Sequence, residues 1–345
     1  MEALGAAKRM VLACLGPDAG GGFDLREAPR RPPAADEIEV AVEAASVNPI
    51  DVGRAAGYGR RLLSLRGASR FPLTLGNDFS GAVVTAGARA SGFAVGDRVY
   101  GVKPVSRDGS HASHIVVKAA YARKAPRGRN LDALAALPYS FVTMWLALRA
   151  VGLTPRSARG ASVLVHGASG GLGTLAQQTL SDWGAKATAV ARAANLQSCL
   201  EAGAVEAADR GQDPFIALRG SFDATLNFAA WDDERALLKC LREGALGHAT
   251  TVHPLMRNFD EYGWVGGAWR TMRDRRHMRA SLPKATSKYA WVLFRPEAEA
   301  LEEMARLVET GRLSLPIGIR AALGDGREAF DHMRRRLPGR ALTVP

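Results

Sequence analysis

Four glycines fall within seven residues in Gly167-Ala168-Ser169-Gly170-Gly171-Leu172-Gly173. That density serves a backbone that must turn sharply and let an anion approach its N–H groups with no Cβ in the way. The residues before it, Ser162 to His166, form a short β-rich apolar run of the length of a buried parallel strand. Those after it, Leu172 to Trp183, have helical spacing. A helix opening near Gly171 points its free N–H groups and the positive end of its dipole at the turn. Strand, glycine turn and helix in this order are the context that a dinucleotide-binding fingerprint requires. The chemistry expected is capture of a diphosphate, with Gly167, Ser169, Gly170, Gly171, Leu172 and Gly173 as the contact residues.

A second strand, Ala187 to Val190, ends in Ala191-Arg192. A site selective for NAD places Asp or Glu there to accept the ribose hydroxyls, whereas arginine suits the extra phosphate of NADP. NADPH is the expected cofactor and Arg192 its phosphate partner.

Other reactive residue types do not assemble into sites. The three cysteines, Cys14, Cys199 and Cys240, form no C-x-x-C pair, which argues against disulfides, structural zinc and thiol redox chemistry. His111 and His114 are a close pair, but three apart on a strand they point to opposite faces. The net charge of +12 concentrates in Arg257 to Arg295 and Arg334 to Arg336. No nucleic-acid module accompanies it, so the reading is a solvated basic face.

The elements that must position these groups follow from length and pattern. At 345 residues two domains are expected, and 47% hydrophobic with 23% charged residues is ordinary globular composition. No apolar run approaches the ~18 residues of a membrane span. A strand expected over Met10 to Leu15 leaves no room for a cleavable leader, so a cytoplasmic protein is expected. Ile38 to Ala44 alternates apolar and polar residues as a half-buried strand does, and further short strands with glycine turns reach Val117, the pattern of a compact β barrel. Leu131 to Leu148 has helical spacing interrupted at Pro138. Helix and strand then alternate through Val252, which implies parallel βαβ units. Pro296 to Thr310 reads as an amphipathic helix, and the tail, Pro316 to Ala321 and Ala341 to Val344, returns to the barrel. Leu255 to Arg295, a long segment between the last strands of this alternation, is expected either to roof the pocket or to form the dimer contact.

Taken together, SVNPIDV, GYGRRLL, FPLTLGNDFSG, GDRVYG, ALPYSFVTMW, VLVHGASGGLGTLAQQ and LVETGRLSLPI resemble, in order and over nearly the whole chain, the zinc-free medium-chain dehydrogenase/reductases. The quinone oxidoreductase group, with its mitochondrial reticulon-interacting branch, is the most similar. The resemblance implies an α/β architecture: a GroES-like β-barrel catalytic domain at residues 1–130 and 311–345, and a Rossmann doubly wound domain at 131–310. It also implies NADPH in the cleft between them and a homodimer.

For the site, the resemblance implies Tyr58 as proton donor, because its G-Y-G setting matches the glycine-flanked tyrosine of similar enoyl thioester reductases. It places Asn48 in the catalytic site, holding the cofactor ribose or an ordered water. Thr143 resembles the threonine that fixes the nicotinamide carboxamide. Arg210, Asn227 and Val252 are further cofactor contacts, Arg210 as a second phosphate partner. Zinc enzymes of the superfamily place Cys near Asn48 and His in G-H-E, where this chain reads Gly76-Asn77-Asp78, so no metal is expected. The departures are LNFAA after the fourth Rossmann strand, which crowds a loop near the cofactor, and Arg340-Ala341-Leu342 in place of R-G-K, by which a basic contact is lost. The implied activity is hydride transfer from NADPH to quinones or activated alkenes. The alternatives are an enoyl thioester reductase and a weakly catalytic NADPH- or RNA-binding protein.

Overall fold

The computed structural model describes residues 5–12 and 22–345. Cys14 and the end of the strand expected over Met10 to Leu15 lie outside the described residues. The chain divides into two units, Met1–Tyr139 with Arg295–Glu309 and Ser314–Pro345, and Ser140–Phe294 with Thr310–Leu313.

The first unit opens with β1 (Ala6–Leu12), β2 (Phe23–Pro29) and β3 (Glu37–Val47). There follow α1 (Pro49–Ala55), α2 (Arg60–Ser64), β4 (Leu73–Thr74), β5 (Asp78–Ala86), β6 (Arg98–Val102), β7 (His114–Lys118), β8 (Ala122–Lys124) and α3 (Leu131–Ala135). The expected alternating strand is the centre of β3, which pairs antiparallel with both β5 and β7. It buries Ile38 and Val40 against Phe79, Val99 and Ile115. Proline ends β2 at Pro29, on a strand that among the described residues pairs with β1 alone, an edge place where a missing N–H is tolerated.

The helical run is two helices, α3 and α4 (Pro138–Val151), with Pro138 at the start of the second, where its missing N–H costs nothing. The second unit then alternates: β9 (Ser162–His166), α5 (Gly171–Asp182), β10 (Lys186–Ala191), α6 (Leu196–Glu201), β11 (Glu206–Asp209), β12 (Ala224–Asn227), α7 (Glu234–Cys240), β13 (Gly247–Thr250), α8 (Leu255–Arg279) and β14 (Tyr289–Trp291). Its strands lie in the order β11-β10-β9-β12-β13-β14, all pairs parallel, which is the doubly wound order with the direction reversing beside β9.

The chain returns to the first unit with α9 (Ala298–Glu309), β15 (Ile317–Ala322), α10 (Gly326–Arg334) and β16 (Arg340–Val344). β16 pairs with β3, completing the sheet order β15-β16-β3-β5-β6-β8. The expected boundaries at 130/131 and 310/311 are corrected on two counts. The first division falls inside α4, after Tyr139, and α9 belongs to the first unit. Arg123 explains the second, because its guanidinium donates to Ala298 O at 2.9 Å and Arg129 donates to Val308 O at 3.1 Å, fastening both ends of α9.

Candidate active site

The glycine turn joins β9 to α5. Gly167 sits at φ +79°, a left-handed conformation that favours glycine, and its N–H and that of Ala168 both donate to Val190 O on the neighbouring strand. A Cβ on Gly167 would stand 3.0 Å from Ala229 Cβ, so the crowding expected from LNFAA is present beside the turn. A Cβ on Gly173 would stand 2.3 Å from Gly167 O and 2.5 Å from Ala168 Cα, so the first turn of α5 packs on the glycine turn at a distance only glycine permits. Gln177 locks this contact, donating to Ala168 O at 2.7 Å and Gly173 O at 3.0 Å. Gly170 is different. It is exposed, caps α5 with no side-chain bond, and a Cβ there would meet nothing closer than Gly167 O at 3.4 Å. Gly167 makes the turn and Gly173 the packing, and Gly170 leaves open the space in front of the helix N-terminus. That cradle fits a dinucleotide diphosphate.

Because the strands are parallel, their carboxyl ends share one edge of the sheet. His166 is opposite both Val190 and Asn227, and Asn227 is opposite Thr250. Gly167, Arg192, Arg210, Asn227 and Val252 therefore gather on this edge. Arg192 follows β10, is exposed, and has no ion-pair partner among the described residues. Ser169 accepts from Asn195 Nδ2 at 3.2 Å. Val252 is half-buried just past β13, its N–H 3.4 Å from Thr250 Oγ1. Thr143 is buried within α4.

Two of the expected cofactor contacts are corrected. Arg210 grips Asp233 with both Nε, at 2.9 Å from Oδ2, and Nη2, at 2.5 Å from Oδ1, and the buried His166 holds the same carboxylate at 2.8 Å. Burial works to raise the Asp233 carboxyl, but the Arg210 guanidinium and His166 outweigh it and hold it below its ordinary range. Arg210 is thus already engaged by a carboxylate rather than held ready for a phosphate. Asn227 is fully buried and spends its amide on the protein. Its Nδ2 donates to Ala230 O and Glu234 Oε2, both at 2.7 Å, and its Oδ1 accepts from Ala229 N at 3.1 Å. It shapes the loop beside Gly167. Sequence reading missed Asp233 and Glu234, whose carboxylates organise this edge, because nothing in a charged helix start marks which charges turn inward.

In the first unit, Asn48 precedes α1 and is completely buried. Its Nδ2 donates to Asp78 Oδ2 at 2.8 Å, and its Oδ1 accepts from Arg340 Nη2. Asp78 also accepts from the Ser46 hydroxyl and the Tyr139 N–H. Burial raises the Asp78 carboxyl to about 6 against the counter-pull of Arg340, Asn48 and Ser46. Asn48 is therefore corrected from a catalytic or ribose-binding group to the centre of a buried polar cluster, both ends of its amide being taken. Arg340, the basic residue this chain keeps of R-G-K, is buried with its guanidinium on Asn48, and the buried Leu342 stands in the lysine's place. Tyr58 borders a separate cavity of about 360 Å³, lined also by Arg54, Arg61, Leu63, Phe71 and Leu73. A second cavity of about 450 Å³, ringed by Arg9, Arg31, Lys103 and Asp108, contains none of the expected site residues.

Residues 34–127 match the alcohol dehydrogenase GroES-like domain, and residues 202–337 match a family described as zinc-binding dehydrogenase. The mitochondrial reticulon-4-interacting protein 1 of Caenorhabditis elegans is 30% identical over 94% of this chain and 92% of its own length. The chain belongs to this family. Its human relative, named NAD(P)H oxidoreductase RTN4IP1, mitochondrial, is also 30% identical, over 81% of this chain and 74% of its own. Among solved structures, the quinone oxidoreductase from Coxiella burnetii superposes with a TM-score of 0.80 over 99% of this chain and 100% of that one, at 20% identity.

Membership in this NAD(P)H oxidoreductase family of the medium-chain dehydrogenase/reductases makes the protein an oxidoreductase that uses NAD(P)H and acts on a small molecule. It carries the GroES-like and Rossmann architecture of the family. The cytoplasmic location expected from the sequence is overturned, because the relatives are named as mitochondrial proteins. That expectation rested on the place of the first strand, which carries no information on where a chain is delivered.

Proposed function

We propose that the protein is an NADPH-dependent reductase of quinones or activated alkenes that works without zinc. The observation that carries the cofactor preference is Arg192, an exposed, unpaired cation at the end of β10 and on the same sheet edge as the glycine cradle. A cation there favours a 2′-phosphate and leaves the 2′-hydroxyl of NADH without its usual carboxylate acceptor. The backbone of Gly167 to Gly173 and the N-terminus of α5 would hold the diphosphate, and Thr143 the carboxamide. When bound, NADPH supplies the hydride. The chain's own task is then to stabilise the oxygen on which negative charge develops. The Tyr58 hydroxyl, beside its cavity, is the proposed proton donor to that oxygen.

Zinc fits poorly here, although the description matching residues 202–337 names it. Asn48 and Asn77 are amides, and the Asp78 carboxylate is already engaged by three donors. Among the described residues no three His, Cys, Asp or Glu side chains cluster as a metal would need. The quinone assignment draws on the Coxiella burnetii neighbour's description as a quinone oxidoreductase. The test is turnover of NADPH and NADH with quinones, enones and enoyl thioesters. Quinone or enone turnover with NADPH preferred, and the preference abolished by Arg192→Glu, is expected. Turnover of enoyl thioesters alone, or equal use of NADH, overturns the assignment.

A further inference from the structure

Helix α8 wears its hydrophobic side outward. Gly263, with φ +71° and ψ −167°, breaks the helix, and the segment from Trp264 to Arg279 folds back on the residues before the break. The inward face is fixed by three contacts at helical spacing. A Cβ on Gly267 would stand 2.7 Å from Phe259 Cα, so the backbones touch there. Asn258 Nδ2 then donates to Thr271 Oγ1 at 3.3 Å and to Asp274 Oδ2 at 3.2 Å. Gly267, Thr271 and Asp274 are spaced i, i+4, i+7, so the opposite face must look away from the protein.

That opposite face carries Val265, Trp269, Met272 and Arg276, again at i, i+4, i+7 and i+11. Val265 is 85% exposed, Trp269 55% and Met272 57%, with Trp264 beside them at 44%. An inward face of glycine and polar groups with an outward face of valine, methionine and tryptophan is the reverse of a surface helix of a soluble domain. Cations frame the apolar stripe. Arg273, Arg275, Arg276 and Arg279 are exposed, and the last three have no ion-pair partner among the described residues. Arg273, paired with Asp274, leans its guanidinium over the Trp269 ring at 5.1 Å from the centroid.

We propose that this face docks the protein on an anionic bilayer surface. Charge complementarity selects that occupant. A second copy of the chain is disfavoured, because a two-fold pairing of this face brings two arginine-rich surfaces together in a chain already at +12. Trp269 and Met272 line an open hollow of about 380 Å³ together with Arg273, Arg276 and His277, so apolar and cationic side chains share the face. An exposed face of this composition lies in the headgroup layer, with tryptophan at the interface and arginine reaching the lipid phosphates. The chain lies on the membrane and does not cross it, since no helix among the described residues is long and apolar enough to span one.

The test is co-sedimentation of the full chain with vesicles of phosphatidylcholine alone or mixed with phosphatidylglycerol. Binding to the anionic vesicles, reversed by salt, is expected. Each arginine removed lowers partitioning about five-fold, so the triple change Arg275→Gln, Arg276→Gln and Arg279→Gln lowers it about a hundred-fold. Trp269→Ser with Met272→Ser lowers it by about ten-fold or more while NADPH binding, read as a control of folding, is unchanged. The proposal is overturned by equal binding to neutral vesicles, by no binding to anionic ones, or by binding that both sets of substitutions leave intact. It is equally overturned if the Trp269 and Met272 substitutions dissolve a self-associated species that has no affinity for vesicles.

Discussion

The glycine turn makes a prediction in which two similar substitutions should fail in different ways. Gly173→Ala adds a Cβ that would stand 2.3 Å from Gly167 O and 2.5 Å from Ala168 Cα, both of them backbone atoms. Neither can rotate aside, so α5 must move by about 1 Å to reach ordinary contact distance. Overpacking of this kind costs roughly 1–3 kcal/mol, which in a chain of this size lowers the melting temperature by a few degrees. The helix N-terminus moves with it, so cofactor affinity falls as well. Gly170→Ala is the contrast. With φ −80° it is not left-handed, and its Cβ would lie 3.4 Å from its nearest neighbour, an ordinary contact. The fold tolerates it apart from the ~1 kcal/mol that separates alanine from glycine at a helix cap. The new methyl nonetheless stands in the open space before the helix, where the diphosphate must come close. Thermal melting of the unliganded proteins and fluorescence titration with NADPH separate the two effects. Gly173→Ala should lose both stability and affinity. Gly170→Ala should melt near the parent and bind NADPH about ten-fold or more weakly. The reasoning is refuted if Gly170→Ala binds NADPH like the parent, or if Gly173→Ala melts with it.

Other consequences can be checked with single substitutions. Arg340→Met removes the cation from the buried cluster of Asn48, Ser46 and Asp78, and should destabilise the chain by about 3–5 kcal/mol in denaturant unfolding, as breaking a buried ionic network does. His111, buried against Thr343 Oγ1 at 2.8 Å, is pushed down by burial from 6.5 to about 4. The unfolded chain therefore binds its proton first, so the stability His111 contributes is complete above pH 6.5 and is lost as pH falls toward 4. Asp78, raised from 3.8 to about 6, works in the opposite sense over much of that window, so the parent alone is a poor probe. The melting temperature lost on His111→Asn should be large at pH 7 and small at pH 5. Tyr58→Phe should slow turnover by about a hundred-fold at unchanged NADPH affinity, the range of a general acid lost. An unchanged single-turnover rate removes Tyr58 from the chemistry.

Much of the fold was legible because local residues dictate it. Four glycines between an apolar run and a helical pattern specify β9, the turn and α5, while Pro138, read as an interruption of one helical run, stands at the start of the second helix, α4. Helix α8 was not legible. Its outward apolar stripe and inward Gly267, Thr271 and Asp274 invert the pattern by which helices are read, and Gly263, Gly266 and Gly267 break the periodicity further. Strand β14, three residues long, completes the parallel sheet but is too short to show a period. The candidate site divides in the same way. Gly173 could be assigned from its neighbours in sequence. The duties of Asn48, Arg210 and Asn227 could not, because their partners Arg340, Asp233 and Glu234 lie far along the chain or turn inward from a charged stretch, and only tertiary packing shows that these side chains are spent.

The most direct test is stopped-flow oxidation of NADPH by protein freed of metal with a strong chelator, mixed with a quinone. The account predicts oxidation that depends on the quinone, at the same rate before and after chelation. Oxidation that vanishes on chelation and returns with zinc, or none with any quinone or enone, would contradict it.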